Sequence, residues 1–229
     1  MIHISKSPLR VSLIGGGTDF PSYFKKKRGA VISFTIDKYV YVIVKDKFDK
    51  KIKLSYSSNE LPKNVDSIRH KLIKHIFKYF KIKDNIEFIS LADIHSKGTG
   101  LGSSSAFTLS SLASINSYLK YKKPNKKDLA NQACKIEIEL NKSPIGVQDQ
   151  FASSYGGFNF IEFKDSNVSV RKLPLTISDI NYLNNRLLLF NTNISRQTNT
   201  ILSNHLNNIL TNKNLEYLDQ LYEETLILK

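Results

Sequence analysis

The segment Gly98-Thr-Gly-Leu-Gly-Ser-Ser-Ser-Ala106 sets three glycines on alternate positions and then runs into three hydroxyls. Glycines at this density let the backbone turn tightly and bring its N–H groups close to a ligand. The apolar-periodic stretch Phe107 to Leu119 follows at once, so the segment opens a helix whose free N–H groups and positive dipole end attract an anion. The serine hydroxyls can cap that helix or reach a metal. Strand-like Ile86 to Leu91 comes before, and a strand, glycine loop and helix in succession make a phosphate cradle rather than a flexible linker. Two familiar phosphate loops do not fit. A dinucleotide fingerprint places its third glycine one residue later than Gly102, and a Walker A loop ends in Gly-Lys-Ser/Thr.

Two further segments carry more glycine or polar content than their surroundings explain. In Pro8-Leu-Arg-Val-Ser-Leu-Ile-Gly-Gly-Gly-Thr-Asp-Phe-Pro21 a buried-looking strand leads into three glycines and then Thr18-Asp19. The glycines permit close approach of backbone to a ligand, and Asp19 can accept hydrogen bonds from sugar hydroxyls. An ordinary Gly-Asp turn would read the same way. Gln148-Asp149-Gln150, within Gly146 to Ala152, puts one acid between two amides ahead of apolar Phe151-Ala152. A carboxylate held there could orient or deprotonate a hydroxyl, or serve as a helix cap.

The first third of the chain must supply the strands that position these groups: Leu9–Ile14, Ala30–Ile36, Tyr39–Val44 and Lys51–Tyr56, with Asp37-Lys38 as a tight hairpin between the middle pair. Ser67 to Phe80 has the four-residue apolar step of a helix. Its His70 and His75 are five apart, the wrong spacing for a shared helical metal site, and are expected to face solvent. His95, near the glycine loop, has no visible partner. Asn125 caps a helix that runs to Leu140 with Leu129, Ala133 and Ile136 on one side. Gly156-Gly157 turns into a strand, further strands are expected at Val168–Leu173 and Arg186–Phe190, and two helices follow Ser195.

With 229 residues and 41% hydrophobic content, the chain has ample core for a globular fold. No run of about 18 apolar residues would span a membrane, and Met1-Ile-His-Ile-Ser-Lys lacks the features of a signal peptide, so a cytoplasmic protein without membrane contact is expected. The single cysteine, Cys134, excludes an internal disulfide and reads as a small buried hydrophobe. The net charge of +14 comes mainly from dispersed lysine, only six of the 34 basic residues being arginine, and no nucleic-acid motif accompanies it. A solvated basic surface that favours phosphorylated ligands is expected, with no nucleic-acid partner.

In order and content the three segments resemble the signature of the GHMP kinases, the galactokinase, homoserine kinase, mevalonate kinase and phosphomevalonate kinase family. Within it the likeness is greatest to the members acting on D-glycero-D-manno-heptose 7-phosphate, which share Pro-Leu-Arg, Gly-Gly-Gly-Thr-Asp and Gln-Asp-Gln. Galactokinases carry Gly-Glu-His-Thr-Asp where this chain has Gly15 to Asp19, and fucokinase-like members carry a tryptophan this chain lacks. The resemblance implies ATP and Mg2+ as cofactors and a small sugar phosphate as partner. It assigns Gly98, Gly100, Leu101, Gly102, Ser103, Ser104, Ser105 and Ala106 to the nucleotide phosphates. It assigns Ser104 and Glu137 to the metal, Asp149 and Arg10 to catalysis, and Gly16, Gly17, Thr18 and Asp19 to the sugar. The implied fold is α+β: a ribosomal protein S5 domain 2-like N-terminal domain over residues 1–180, then the start of a ferredoxin-like C-terminal domain over 181–229. Members are usually longer, with a third glycine-rich motif absent here, so a C-terminal truncation is expected, with the apolar faces of Ile201–Leu210 and Leu215–Leu228 left exposed.

Overall fold

The computed structural model describes residues 1–94, 98–165, 167–190 and 198–229. His95 lies outside them. Two long antiparallel strands organise everything else: β1 (Ile2–Ile14) and β2 (Arg28–Asp46). On its other edge, β2 serves two neighbours in turn. Its first half, Arg28 to Phe34, pairs with β6 (Phe158–Lys164), and its second half, Val40 to Asp46, pairs with β5 (Ile86–Ala92). β3 (Ile52–Ser55) lies parallel to β5 and carries the short β4 (Asn59–Glu60), while β7 (Asn167–Lys172) closes the far side against β6. The result is one seven-stranded sheet.

The expected hairpin at Asp37-Lys38 is instead the middle of β2. The register moves from Pro8 opposite Tyr39 to Arg10 opposite Thr35, so Ile36, Asp37 and Lys38 are taken up as a bulge. Two strands can merge into one here because β1 pairs with both halves, and a bulge absorbs surplus residues without breaking the pairing. The bulge falls beside Arg10.

Helix α3 (Ser103–Tyr118) packs across β1 and β2. Its burial extends well beyond an apolar stripe: besides Ala106, Leu109, Leu112 and Ile115, the polar residues Ser105, Thr108, Ser110, Ser111, Ser114 and Asn116 are buried. Serine's small volume lets the helix approach the sheet closely. Ser110 Oγ donates to the Val40 carbonyl at 2.9 Å and Ser114 Oγ to the Val42 carbonyl at 2.7 Å, which satisfies the buried hydroxyls. Around α3 lies the larger core, with α2 (Lys71–Tyr79), β3 and β5 contributing Leu72, Ile73, Ile76, Phe77, Leu54 and Phe88. His70 is not the solvent-facing residue expected. It is half-buried between the rings of Tyr56 and Phe107 and caps α2 through the Ile73 N–H.

A second core gathers the short helix α1 (Pro21–Phe24), α5 (Gln148–Tyr155) and the helical pair α7 (Thr198–Leu210) and α8 (Leu215–Ile227). The expectation that the faces of α7 and α8 stay open holds for Ile201, Leu210, Ile227 and Leu228, which are exposed, and is corrected for the inner side of the pair. Ile209 and Leu218 are buried with Phe20, Tyr23 and Phe151, and Tyr222 and Leu226 lie on Ala30, Ile32 and Phe160. Tyr23 donates a 2.7 Å hydrogen bond to Asp219, which also pairs with Lys27, fastening α8 to α1. The expected strand at Arg186–Phe190, after α6 (Ile177–Asn184), does not form. Among the described residues no strand runs beside it, and Leu188 and Phe190 are exposed; a strand needs a partner more than it needs apolar residues. No helix among the described residues is long and apolar enough to cross a membrane.

The close seat of α3 sets a stability test. Ser114→Leu forces extra carbons into filled space and should cost about 1–3 kcal/mol beyond Ser114→Ala, which loses only a hydrogen bond worth about 1 kcal/mol. Urea unfolding of the three chains measures both; equal stability of the leucine and alanine variants would show that α3 is loosely seated.

Candidate active site

The glycine loop and the first turn of α3 border two cavities. One, of about 520 Å³, is lined by Arg10, Gly16, Gly17, Asp19, the loop Gly98 to Ser105, Gly146, Gln148 and Asp149, and on its far wall by α7. The other, of about 540 Å³, is lined by Tyr56, His70, Ser90, Leu91, Phe107 and again Ser103 and Ser104. The two meet at these serines. Gly98, Gly100 and Gly102 all have φ near +71°, the left-handed conformation that glycine adopts without strain, and Gly102 begins α3 with no side-chain cap.

Arg10 ties the cavity together. Its Nε donates to Asp149 Oδ1 at 2.8 Å, Nη2 lies 2.6 Å from the same oxygen, and Nη1 donates to the Gly100 carbonyl at 2.5 Å. Its backbone N–H is bonded to the Leu101 carbonyl at 3.0 Å. One residue of β1 thus holds the glycine loop and α5 in fixed relation.

The first turn of α5 divides its work among three directions, because successive side chains on a helix point about 100° apart. Gln148 reaches Asp19, Asp149 reaches Arg10 and Gln150 reaches Glu137. Asp19 is fully enclosed, accepting from the Gly17 N–H at 3.0 Å and the Gln148 N–H at 3.1 Å. Burial pushes its carboxyl up to about 6, with the neighbouring Asp149 charge adding to the rise and the bonds from Gln148 and Gly17 opposing it. Gly146 passes so close that a Cβ there would lie 1.9 Å from Asp19 Oδ2, which accounts for the glycine at this position.

Glu137 sits in a π-helical turn, Lys135–Leu140, that continues α4 (Lys126–Cys134); Asn125 caps α4 through the Asp128 N–H as expected. The widened turn leaves Glu139 exposed and buries Glu137 completely. Its carboxylate accepts from Ser104 Oγ at 2.7 Å, Ser105 Oγ at 2.8 Å and Gln150 Nε2 at 2.7 Å. Burial raises its pKa, and those three bonds oppose the rise. Cys134, nearby, has its thiol pushed well above the ordinary range by burial and is no nucleophile.

Among the described residues no group of three His, Cys, Asp or Glu side chains could hold a metal alone. Magnesium asks less, because it keeps waters and takes phosphate oxygens. A serine hydroxyl and a carboxylate are the hard oxygen donors this ion takes, so the Ser104–Glu137 pair suits it by donor type.

Three residues expected at the ligands line neither cavity: Glu137, which meets them only through Ser104 and Ser105, and Thr18 and Ala106. Thr18 is fully buried, its hydroxyl donating to the Gly15 and Ala30 carbonyls and accepting from the Ala30 N–H. Ala106 is packed against Leu9 and Val40 with its N–H spent on the Gly102 carbonyl. Both shape the loops rather than line them. Sequence reasoning missed Ile201, Leu202 and His205 of α7, which form the far wall; they belong to no motif and reach the cavity only through the packing of α7.

An arginine–aspartate pair at the mouth of a glycine-walled helix terminus is arranged for phosphoryl transfer. Comparison with known proteins gives that class its family. The GHMP kinases N terminal domain matches residues 67–157. A D-glycero-alpha-D-manno-heptose 7-phosphate kinase of Campylobacter jejuni is 30% identical over 239 residues, covering 98% of this chain and 70% of that protein. A galactokinase of Thermotoga petrophila is 26% identical over 170 residues, 70% of this chain and 46% of that one. Among solved structures, a D-glycero-D-manno-heptose 1-phosphate kinase from Bacteroides thetaiotaomicron superposes with a TM-score of 0.73 at 22% identity, over 96% of this chain and 74% of that one. The chain belongs to the GHMP kinase family, and it is a phosphotransferase.

The Asp19 environment makes a pH test. A carboxyl raised from 3.8 to about 6 holds its proton more tightly in the folded chain, so its contribution to stability is full below pH 4 and lost as pH rises through about 6. Relative to Asp19→Asn, the parent should lose on the order of 3 kcal/mol between pH 4 and pH 7. Denaturant unfolding at the two pH values measures this, and a constant gap between parent and variant would refute the raised carboxyl.

Proposed function

We propose that this kinase transfers the γ-phosphoryl group of ATP to the anomeric hydroxyl of a sugar phosphate, D-glycero-D-manno-heptose 7-phosphate, giving the 1,7-bisphosphate. The observation that carries the reading is the Arg10–Asp149 pair, set between the glycine loop on one side and Asp19 on the other. The Campylobacter relative's name and the Gly15-Gly-Gly-Thr-Asp19 segment favour heptose over galactose. We also read residues 1–180 as the N-terminal domain, of the ribosomal protein S5 domain 2-like kind, and 181–229 as part of the ferredoxin-like second domain.

In this reading the nucleoside occupies the cavity beside Tyr56 and Phe107, and its phosphates cross Ser103 and Ser104 toward the sugar. The N-terminus of α3 and the loop N–H groups receive the phosphate charge. Asp149 takes the proton of the attacking hydroxyl as its oxygen bonds to the γ-phosphorus and the bond to the departing ADP oxygen breaks. Arg10 is already fixed by Gly100 and Asp149, so its guanidinium stabilises charge on the transferring group with little reorganisation. Asp19 fixes the sugar through a second hydroxyl. Ser104 and Glu137 would hold magnesium, which supplies charge neutralisation at the phosphates.

A phosphate-transfer screen over heptose 7-phosphate, galactose, fucose and mevalonate tests the reading. Turnover of the heptose phosphate is expected, turnover of galactose alone would correct the substrate, and no turnover of any sugar would sink it. Asp149→Asn should lower kcat by about two orders of magnitude or more while nucleotide affinity by calorimetry stays nearly unchanged. Unaltered turnover would remove Asp149 from the chemistry. Ser104→Ala should raise the magnesium concentration needed for half-maximal rate, and equal dependence in variant and parent would refute the metal assignment.

A further inference from the structure

Of the far wall supplied by α7, Ile201 and Leu202 are apolar and His205 alone is polar. His205 is one turn beyond Ile201, so both face the cavity. The imidazole stands edge-on to Phe20, ring centroids 5.0 Å apart, and lies directly over Gly17. A Cβ at Gly17 would come within 2.7 Å of His205 Nε2 and 3.0 Å of Cε1, so Gly17 lacks a side chain where the histidine needs room. The ring is held in place from behind, because Leu218 of α8 closes on Gly17 as well and Asp219 is fastened to Tyr23 and Lys27.

His205 Nε2 is buried against the Gly17 backbone, which favours the charged ring where burial opposes it, and it makes no hydrogen bond of full geometry among the described residues. Native structures rarely leave such an atom unpaired, and an unmodified apolar wall would serve packing equally well. The arginine of the cavity, Arg10, is occupied by Asp149 and Gly100.

Resting on the sugar-kinase reading, we propose that His205 is a specificity-determining residue whose imidazole makes a hydrogen bond to a sugar hydroxyl in this cavity. A neutral imidazole carries one donor and one acceptor, matching a hydroxyl. The apolar setting of Phe20, Leu218, Ile201 and Leu202 suits a neutral contact rather than a phosphate, and burial lowers the ring's pKa in the same direction. Discrimination follows because a site that pairs a hydroxyl leaves a buried group unsatisfied when the hydroxyl is missing.

The experiment uses whichever sugar the parent turns over, with His205→Ala, His205→Gln and a series of monodeoxy analogues. His205→Ala should raise the sugar KM about tenfold to a hundredfold with the ATP KM within about twofold, and His205→Gln, which keeps a donor and an acceptor, should recover most of the loss. One deoxy analogue should be penalised by the parent and not by His205→Ala. A sugar KM unchanged in His205→Ala, an equal rise in both KM values, or no analogue distinguished between parent and variant would each overturn the assignment while leaving the kinase reading intact. A parent that binds ATP yet phosphorylates no sugar would overturn both.

Discussion

The structure depends most on where the Arg10 guanidinium is held. Three segments far apart in sequence, β1, the loop after β5 and the first turn of α5, converge on that one side chain through Asp149, Gly100 and Leu101. The geometry is inherited from the sheet: β1 is locked to β2 over nearly its whole length, and Arg10 is the first residue paired again after the bulge opposite Leu9. A charged group held by two contacts to one carboxylate oxygen and by a carbonyl loses little freedom when a ligand arrives, which is the sense in which the fold prepares the site.

Around the loop bearing Asp19, three glycines are placed by collision. Gly15 and Gly29 each lie where a side chain would strike backbone of the crossing segment, Ala30 and Thr18 respectively, and Gly146 lies where one would strike the Asp19 carboxylate. The loop bearing Asp19 is therefore pressed between β2 and the start of α5. Thr18, spent wholly on the Gly15 and Ala30 backbone, is the fastening of that loop.

The three motifs were legible in the sequence because each combines glycine with hydroxyl or acidic residues at short range, and the structure brings all three to one cavity. The helix after the glycine loop, the Asn125 cap and the turn at Gly156-Gly157 were legible for the same local reasons. What was not legible depends on long-range pairing. Asp37-Lys38 has turn chemistry and becomes a bulge only because β1 spans both halves of β2. Arg186 to Phe190 has strand composition without a partner strand among the described residues, and Thr18 is indistinguishable by type from a ligand contact until its hydroxyl is seen to face inward. His205 carries no motif, and its place above Gly17 follows from the packing of α7 and α8.

The π-helical turn at Lys135–Leu140 makes one carboxylate sensitive to chain length rather than to residue type. Such a turn is in effect a single residue inserted into an α-helix. Losing any one residue just before Glu137 would restore the regular pitch and swing the following side chains by about 100°. Glu137 would leave Ser104, and a neighbour would take its place. A variant could keep every functional residue in its sequence and still lose this site, so insertions and deletions here test descent with function more sharply than substitutions do.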